Sequence, residues 1–343
     1  MAEIVLGLGS SHTPQISTSA EHWAQHAARD QANPRLLGAD GEYHTYDELL
    51  SAADPSIAAQ LGPGTWRRKF DGAQAAVETL AGHLADARPD VLVIVGDDQH
   101  ELFGADGLPA IALFTGEELF DVPPDDARVA RIPPDIRPAL WSHHAARLDA
   151  YRVASELSRH LATALSSDFD LTVMERQPEG RSLGHAFTFA RLRLRLERDV
   201  PIVPVLLNTY FPPNVPPPGR CWRLGRALRA ALDSWNRPDR VAVLASGGLS
   251  HFVVSESLDR RVLAGLEVAD GAMFDAIPAR VLRSGTSETL NWVTAGGMLA
   301  DFRFDVVDYI PAYRSPAGTG CGLAFATWQP PASGAGAVPG RAG

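Results

Sequence analysis

Cysteine is scarce. Cys221 and Cys321 are the only two in 343 residues, too few for a disulfide framework, and no Cys-x-x-Cys is present. Long apolar runs are missing too. No stretch approaches the roughly 20 residues that a membrane-spanning helix needs, and the opening MAEIVLGLGS has no basic leader ahead of its apolar residues. The expectation is a reducing, cytoplasmic setting without membrane contact. Basic charge gathers nowhere either. Net charge is −10, and an acidic chain repels phosphate backbones, which argues against nucleic acid as a partner. The one arginine-rich piece, ARLRLRLERD (190–199), alternates Arg with Leu and reads as a solvated helix face.

Several catalytic signatures are absent as well. GGLSHF is not a Gly-x-Ser-x-Gly elbow, because Phe252 occupies its last position. No Gly-x-x-x-x-Gly-Lys-Ser/Thr and no His-Glu-x-x-His occurs, and GLGSSH near the N-terminus lacks the third glycine of a dinucleotide loop. No repeat of solenoid length is visible.

What the chain does have is 45% hydrophobic residues, enough for a substantial core. Short β-branched runs at 3–9, 90–96, 109–115, 170–176, 201–208 and 240–246 have strand length and are bounded by Pro, Gly or Asp. Helical patterns at 73–87, 146–165 and 221–235 lie between them, and one at 257–277 follows the last. Strands apolar on both faces that alternate with helices predict an α/β fold, with a mainly parallel central sheet flanked by helices and a site at the carboxyl ends of the strands. The expected organisation is one catalytic domain over 1–329 and a disordered tail over 330–343. Segment 17–70 reads as a helical excursion, and the proline-rich, acidic segment 116–142 reads as a long loop.

Four of these strands run into histidine. His12 follows IVLGLGSS; Asp97, Asp98 and His100 follow VLVIVG; His185 trails LTVMER by about ten residues; and His251 follows VAVLASGGLS. Any one of them alone reads more readily as an ordinary hydrogen-bonded structural residue than as a ligand. Four at one sheet edge point to a shared pocket. Gly247 and Gly248 permit a sharp turn and a close backbone approach there, or simply an ordinary turn. His22, His26, His83, His143, His144 and His160 read as loop or helix-face residues, while His44 could approach a pocket mouth. Imidazoles with a carboxylate suit first-row metals, and two histidines with one carboxylate leave open positions on Fe(II). Glu288, in the first turn of SETLNWVTAGGM, is a candidate carboxylate or a plain complement to the helix dipole.

SSHTP after the first strand, PDVLVIVGDDQHELF, a later Gly-His, GGLSH after a strand, SETLNW opening a helix and the closing DYIPAYRSPAGTGCGLAFATW occur in this order. The set resembles the class III extradiol ring-cleavage dioxygenases from residue 2 to about 329, and is most like their single-chain gallate and methylgallate members. That resemblance implies Fe(II), a catechol substrate, O2 and a homodimer. It assigns His12 and Glu288 as iron ligands, His251 as the base, neutral near pH 7, and His185 as a second active-site histidine. In the slot of the second ligand histidine this chain has Gln99. His100, one position later, is taken as the ligand, with Asp97, Asp98 or His44 as substitutes. Arg314, Ser315 and Tyr313 are candidates to hold a substrate carboxylate, or a tight turn and its packing. The extra early sequence corresponds to a lid. Two other readings stay open: a non-catalytic, Memo-type binding protein of the same superfamily, and a zinc hydrolase on the same residues.

Overall fold

The computed structural model describes residues 1–105 and 107–331, and nine strands of it form one sheet. They are β1 (Glu3–Ser10), β2 (Val91–Asp97), β3 (Ile111–Phe114), β4 (Thr172–Met174), β5 (Ile202–Leu207), β6 (Arg240–Ser246), β7 (His251–Val253), β8 (Arg303–Tyr313) and β9 (Thr319–Gln329). Their order across the sheet is β7-β9-β1-β6-β2-β5-β3-β4, with β8 paired to β9. Parallel pairing joins β1, β6, β2 and β5 into a central block and joins β3 to β4. Antiparallel pairing attaches β3 to β5, and β9 with its neighbours β7 and β8 to β1.

The central strands are apolar throughout because both faces are covered. Along β2 the side chains alternate between two cores. Val91, Val93 and Val95 join one, packed with Leu224 and Leu228 of α5 (Pro218–Asp233) and Trp292 of α7 (Thr289–Met298). Leu92 and Ile94 join the other, with Leu80 of α2 (Pro63–Ala87) and Phe187 of α4 (His185–Leu192). Every one of the six expected strands is present. The antiparallel pair β8–β9 is additional, and it closes one side of the parallel block.

Several local expectations are corrected. The pattern at 146–165 divides into a short strand, Asp149–Arg152, with alternate residues buried, and α3 (Ser155–Leu165). The pattern at 257–277 breaks between α6 (Glu256–Glu267) and a helix at Gly271–Asp275, where the Asp270 side chain accepts from Ala272 N at 2.9 Å and starts a new helix. Segment 116–142 is ordered, with strand Glu118–Asp121, helix Asp126–Arg131 capped by Asp125, and a 3-10 turn at Arg137–Ser142. The arginines at 191 and 193 are not a solvated face. Arg191 is buried and pairs with Asp149 at 2.9 Å, and Arg193 donates to Ser17 Oγ and Gln74 Oε1, each at 2.8 Å.

The excursion expected over 17–70 is helical. It carries α1 (Trp23–Ala32), a two-residue hairpin, helix Tyr46–Ala52 and a 3-10 turn at Pro55–Gln60, and its last residues begin α2. Trp23, fully buried, anchors it by donating from Nε1 to Gln15 O at 3.1 Å. No helix among the described residues is long and apolar enough to cross a membrane. The expected tail over 330–343 lies, from residue 332 onward, outside the described residues.

Candidate active site

The parallel block points its carboxyl ends at one cavity of about 440 Å³, the place where loops from adjacent strands converge on a rigid support. β1 delivers His12 to it. β2 ends on Asp97, and the turn beyond β2 contributes Gln99 and Glu101. The turn after β6 leads through Gly247 and Gly248 to His251, and the 3-10 turn Ser284–Glu288 carries Glu288 to the mouth of α7. α4 begins at His185.

Three of these residues form a cluster. One ligand atom each from His12, Asp97 and Glu288 lies within 4.8 Å of the others, and all three residues are buried. His12 is 2% exposed. Its Nδ1 is engaged by Ser246 Oγ at 3.0 Å. Its Nε2 points at the carboxylates, 3.2 Å from Glu288 Oε2, yet has no hydrogen-bond partner. A buried polar nitrogen left in that condition is costly and calls for explanation. The carboxylates are held by donors. Glu288 accepts from Gly248 N at 2.7 Å and from Gln99 Nε2 at 3.3 Å. Asp97 accepts from Gln99 Nε2 at 3.0 Å and from Asn291 Nδ2 at 3.1 Å.

Burial raises both carboxyls, but they separate. His251, His12 and the Gly248 N–H hold Glu288 well below the usual carboxylate range, whereas burial and the charge of Glu288 together push Asp97 up. Two buried carboxylates facing a hydrogen-bond-free imidazole nitrogen form an N/O donor set that fits a first-row divalent cation.

Two further imidazoles border the cluster. The His185 ring meets the His12 ring edge-on at 4.6 Å, and its Nδ1 is bound by the Glu101 carboxylate. Burial lowers the His185 pKa, but the Glu101 charge and hydrogen bond outweigh it, leaving it at about 9 with Glu101 at about 2. His251 Nδ1 is 3.0 Å from Leu249 O, so Nδ1 carries the proton and Nε2, 3.9 Å from Glu288 Oε2, faces the cavity. Burial lowers His251 as well, and Cys321 and Glu288 raise it to about 10.

The glycines have a specific reason to be there. A Cβ on Gly248 would stand 2.1 Å from His251 Cε1, and one on Gly247 would stand 3.0 Å from Glu288 Cβ. The backbone passes against both functional side chains, leaving no room for a side chain at 248 and only a tight fit at 247.

His12, His185, His251 and Glu288 are thus brought together as the sequence suggested, and His100 is not. His100 has a left-handed backbone (φ 68°), its ring stacks on Phe211 at 3.9 Å, and its Nδ1 is 3.3 Å from Phe103 O. Among the named substitutes, Asp97 takes a place in the cluster. Asp98 instead accepts from Leu102 N at 2.7 Å and Phe103 N at 3.2 Å, and His44 pairs with Asp40 at 3.0 Å.

Arg314 lines the cavity, but Asp30 engages its Nε and Nη2 at 2.5 and 3.1 Å, and Gln15 Oε1 accepts from Nη1 at 3.1 Å. Ser315 shares a 2.7 Å hydrogen bond with Thr319 across the β8–β9 turn, and Tyr313 donates to Glu256 at 3.1 Å while packing on Ile57 and Val254. Neither of these two lines the cavity.

Sequence reasoning passed over Glu101, Cys321, His26 and His143, all of which line it. Glu101 stood in the same polar turn as His100 and was the available signal. His143 comes within 5.0 Å of His185 only through the ordered 116–142 segment, which also supplies Ile136 and Leu140 to the wall.

Residues 50–276 match the model of a family described as the catalytic LigB subunit of aromatic ring-opening dioxygenase. A gallate dioxygenase of Pseudomonas putida is 37% identical over 105 residues, a stretch covering 29% of this chain and 29% of that protein. The family match spans well over half of the chain and takes in β2 to β6 with the residues they deliver, so this chain belongs to the family of catalytic LigB subunits of aromatic ring-opening dioxygenases.

Proposed function

We propose that this protein is an Fe(II)-dependent extradiol dioxygenase that opens the ring of a catechol of the gallate, methylgallate or protocatechuate type with O2. One observation carries the reading: a buried His12 Nε2 without a hydrogen-bond partner faces two carboxylates at the end of a cavity bordered by two more imidazoles. His12 and Glu288 would hold the metal, and the bound iron would supply acidification of the catechol hydroxyls and electron transfer between ring and oxygen.

The protein's own residues supply the rest. His251 accepts a proton at Nε2, the nitrogen its Leu249 hydrogen bond leaves free. With Glu288 engaged in holding a cation, His251 loses part of the attraction that raises it, a change that favours its acting as a base. His185, fixed by Glu101, presents Nε2 to the same space and can hold an anionic oxygen there. His26 and Arg29 of α1 and Ile136 and Leu140 of the 116–142 segment wall the cavity beside the reacting ring. Cys221 and Cys321 are both free and buried, in keeping with a cytoplasmic setting.

The test is oxygen uptake by anaerobically purified, Fe(II)-loaded protein given gallate, 3-O-methylgallate and protocatechuate in turn. Uptake matched by the absorbance of a ring-opened product is expected. Absence of uptake from iron-loaded protein with all three would overturn the reading in favour of a binding protein or a hydrolase. His251→Ala should keep the metal and lose turnover.

A further inference from the structure

Resting on that reading, we propose that the metal in this chain is held by one imidazole and two carboxylates, His12, Asp97 and Glu288, with the Gln99 amide tying the carboxylates together. A second histidine ligand is not part of the set.

The turn after β2 decides this. Asp97 is the last residue of the strand and shares its face with Val91, Val93 and Val95, the face toward α7. That alternation directs its carboxylate to Asn291 on α7 and to Glu288 just before it. The chain then winds back on itself, because Asp98 accepts from the backbone N–H groups of Leu102 and Phe103. The Gln99 N–H is held by Glu101 Oε2 at 2.5 Å. His100 follows in the left-handed region with its ring on Phe211, so presenting it to the cluster would require undoing the whole turn.

Gln99 is turned inward instead. An amide –NH2 carries two N–H donors, and Gln99 Nε2 lies 3.0 Å from Asp97 Oδ2 and 3.3 Å from Glu288 Oε1. Asn291 and Gly248 hold the other two oxygens. A carboxylate has about four lone-pair sites, so each keeps capacity for a cation while its orientation is fixed from both sides. The bridging donor fixes how the two carboxylates face each other, and the hydrogen-bond-free His12 Nε2 completes the concavity.

The consequence is electrostatic. Two carboxylates with a divalent ion sum to zero, whereas two imidazoles with one carboxylate leave a net charge of one. A neutral site pulls less on a catechol hydroxyl and leaves more of the proton transfer to the surrounding histidines. Its oxygen-rich donors also suit Mn(II) alongside Fe(II).

Mn(II) is therefore the probe. Its free paramagnetic signal disappears on binding, and pulsed measurement of the bound ion counts coordinated imidazole nitrogens in the unaltered protein. One imidazole is expected; two would overturn the proposal, as would wild-type protein that binds no Mn(II). In variants shown by circular dichroism to be folded, Asp97→Asn should weaken Mn(II) binding by more than the roughly 10- to 100-fold that loss of an outer partner costs, Gln99→Ala should fall in that range, and His100→Ala should bind as wild type. Loss of binding in His100→Ala with retention in Asp97→Asn would refute the assignment. A one-imidazole site without oxygen uptake would sink the dioxygenase reading and keep this one; two imidazoles with uptake would do the reverse.

Discussion

Replacing Gly248 with alanine would set a methyl carbon 2.1 Å from His251 Cε1, 2.9 Å from its Nε2 and 3.1 Å from its Nδ1. Carbon atoms rest at about 3.5–4.0 Å, so the ring must retreat by about 1.5 Å or the turn must open. Neither comes free. The ring is backed by Gly285, whose own added Cβ would lie 2.6 Å from His251 Cβ, and its Nδ1 is tied to Leu249 O. Opening the turn would pull the Gly248 N–H from Glu288. Overpacking of this kind costs about 1–3 kcal/mol of stability, and a misplacement of about 1 Å in a catalytic group costs on the order of 10²-fold in rate. The assay is kcat and KM for oxygen uptake beside urea unfolding of the same preparation. A fall of about 10²-fold in kcat with a folded, metal-loaded protein is expected. Wild-type turnover would show that His251 Nε2 is not positioned by this turn and would remove it as the base.

Asp30→Ala should cost about 3–5 kcal/mol in urea unfolding, because it leaves the buried Arg314 guanidinium without its carboxylate; the pair Asp30→Leu with Arg314→Met should recover most of that, and a loss under about 1 kcal/mol would contradict the buried pairing. The Glu101–His185 pair gives a pH signature. Glu101, depressed from 4.5 to about 2, contributes stability that is present above pH 4.5 and lost as pH falls through about 2. His185, raised from 6.5 to about 9, contributes stability that is complete below pH 6.5 and lost as pH rises through about 9. Melting temperature should therefore fall between pH 6.5 and 9, and Glu101→Gln should flatten that decline; an unchanged slope would mean the pair is not coupled as drawn.

How much of this was legible before the structure follows from the range of each interaction. Apolar runs such as VLVIVG and IVPVLL are strands covered on both faces, a property written in consecutive residues, so the α/β class and the six strands could be read directly. The rule that sites gather at carboxyl strand ends then carried His12, His251 and His185 to one place, and the order of motifs added Glu288. The β8–β9 pair was harder, because β8 carries Arg303, Asp305 and Asp308, stays partly exposed on much of its length, and is held as a strand by pairing with β9. The burial of Arg191 and Arg193 was not legible, because alternation with Leu says nothing of Asp149 more than forty residues away or of Ser17 and Gln74 still farther off.

The sequence by itself determined which residues had chemistry to offer and along which edge they would lie, because strand burial and strand direction are local consequences of composition and period. Only the tertiary structure decided which of them meet. A one-residue difference in a turn reverses where a side chain points, and the left-handed backbone at His100, set by Asp98 and its two N–H donors, sends the histidine out and brings Asp97 and Gln99 in. That choice rests on hydrogen bonds to residues nearly two hundred positions away, Glu288 and Asn291, which no reading along the chain can pair with it.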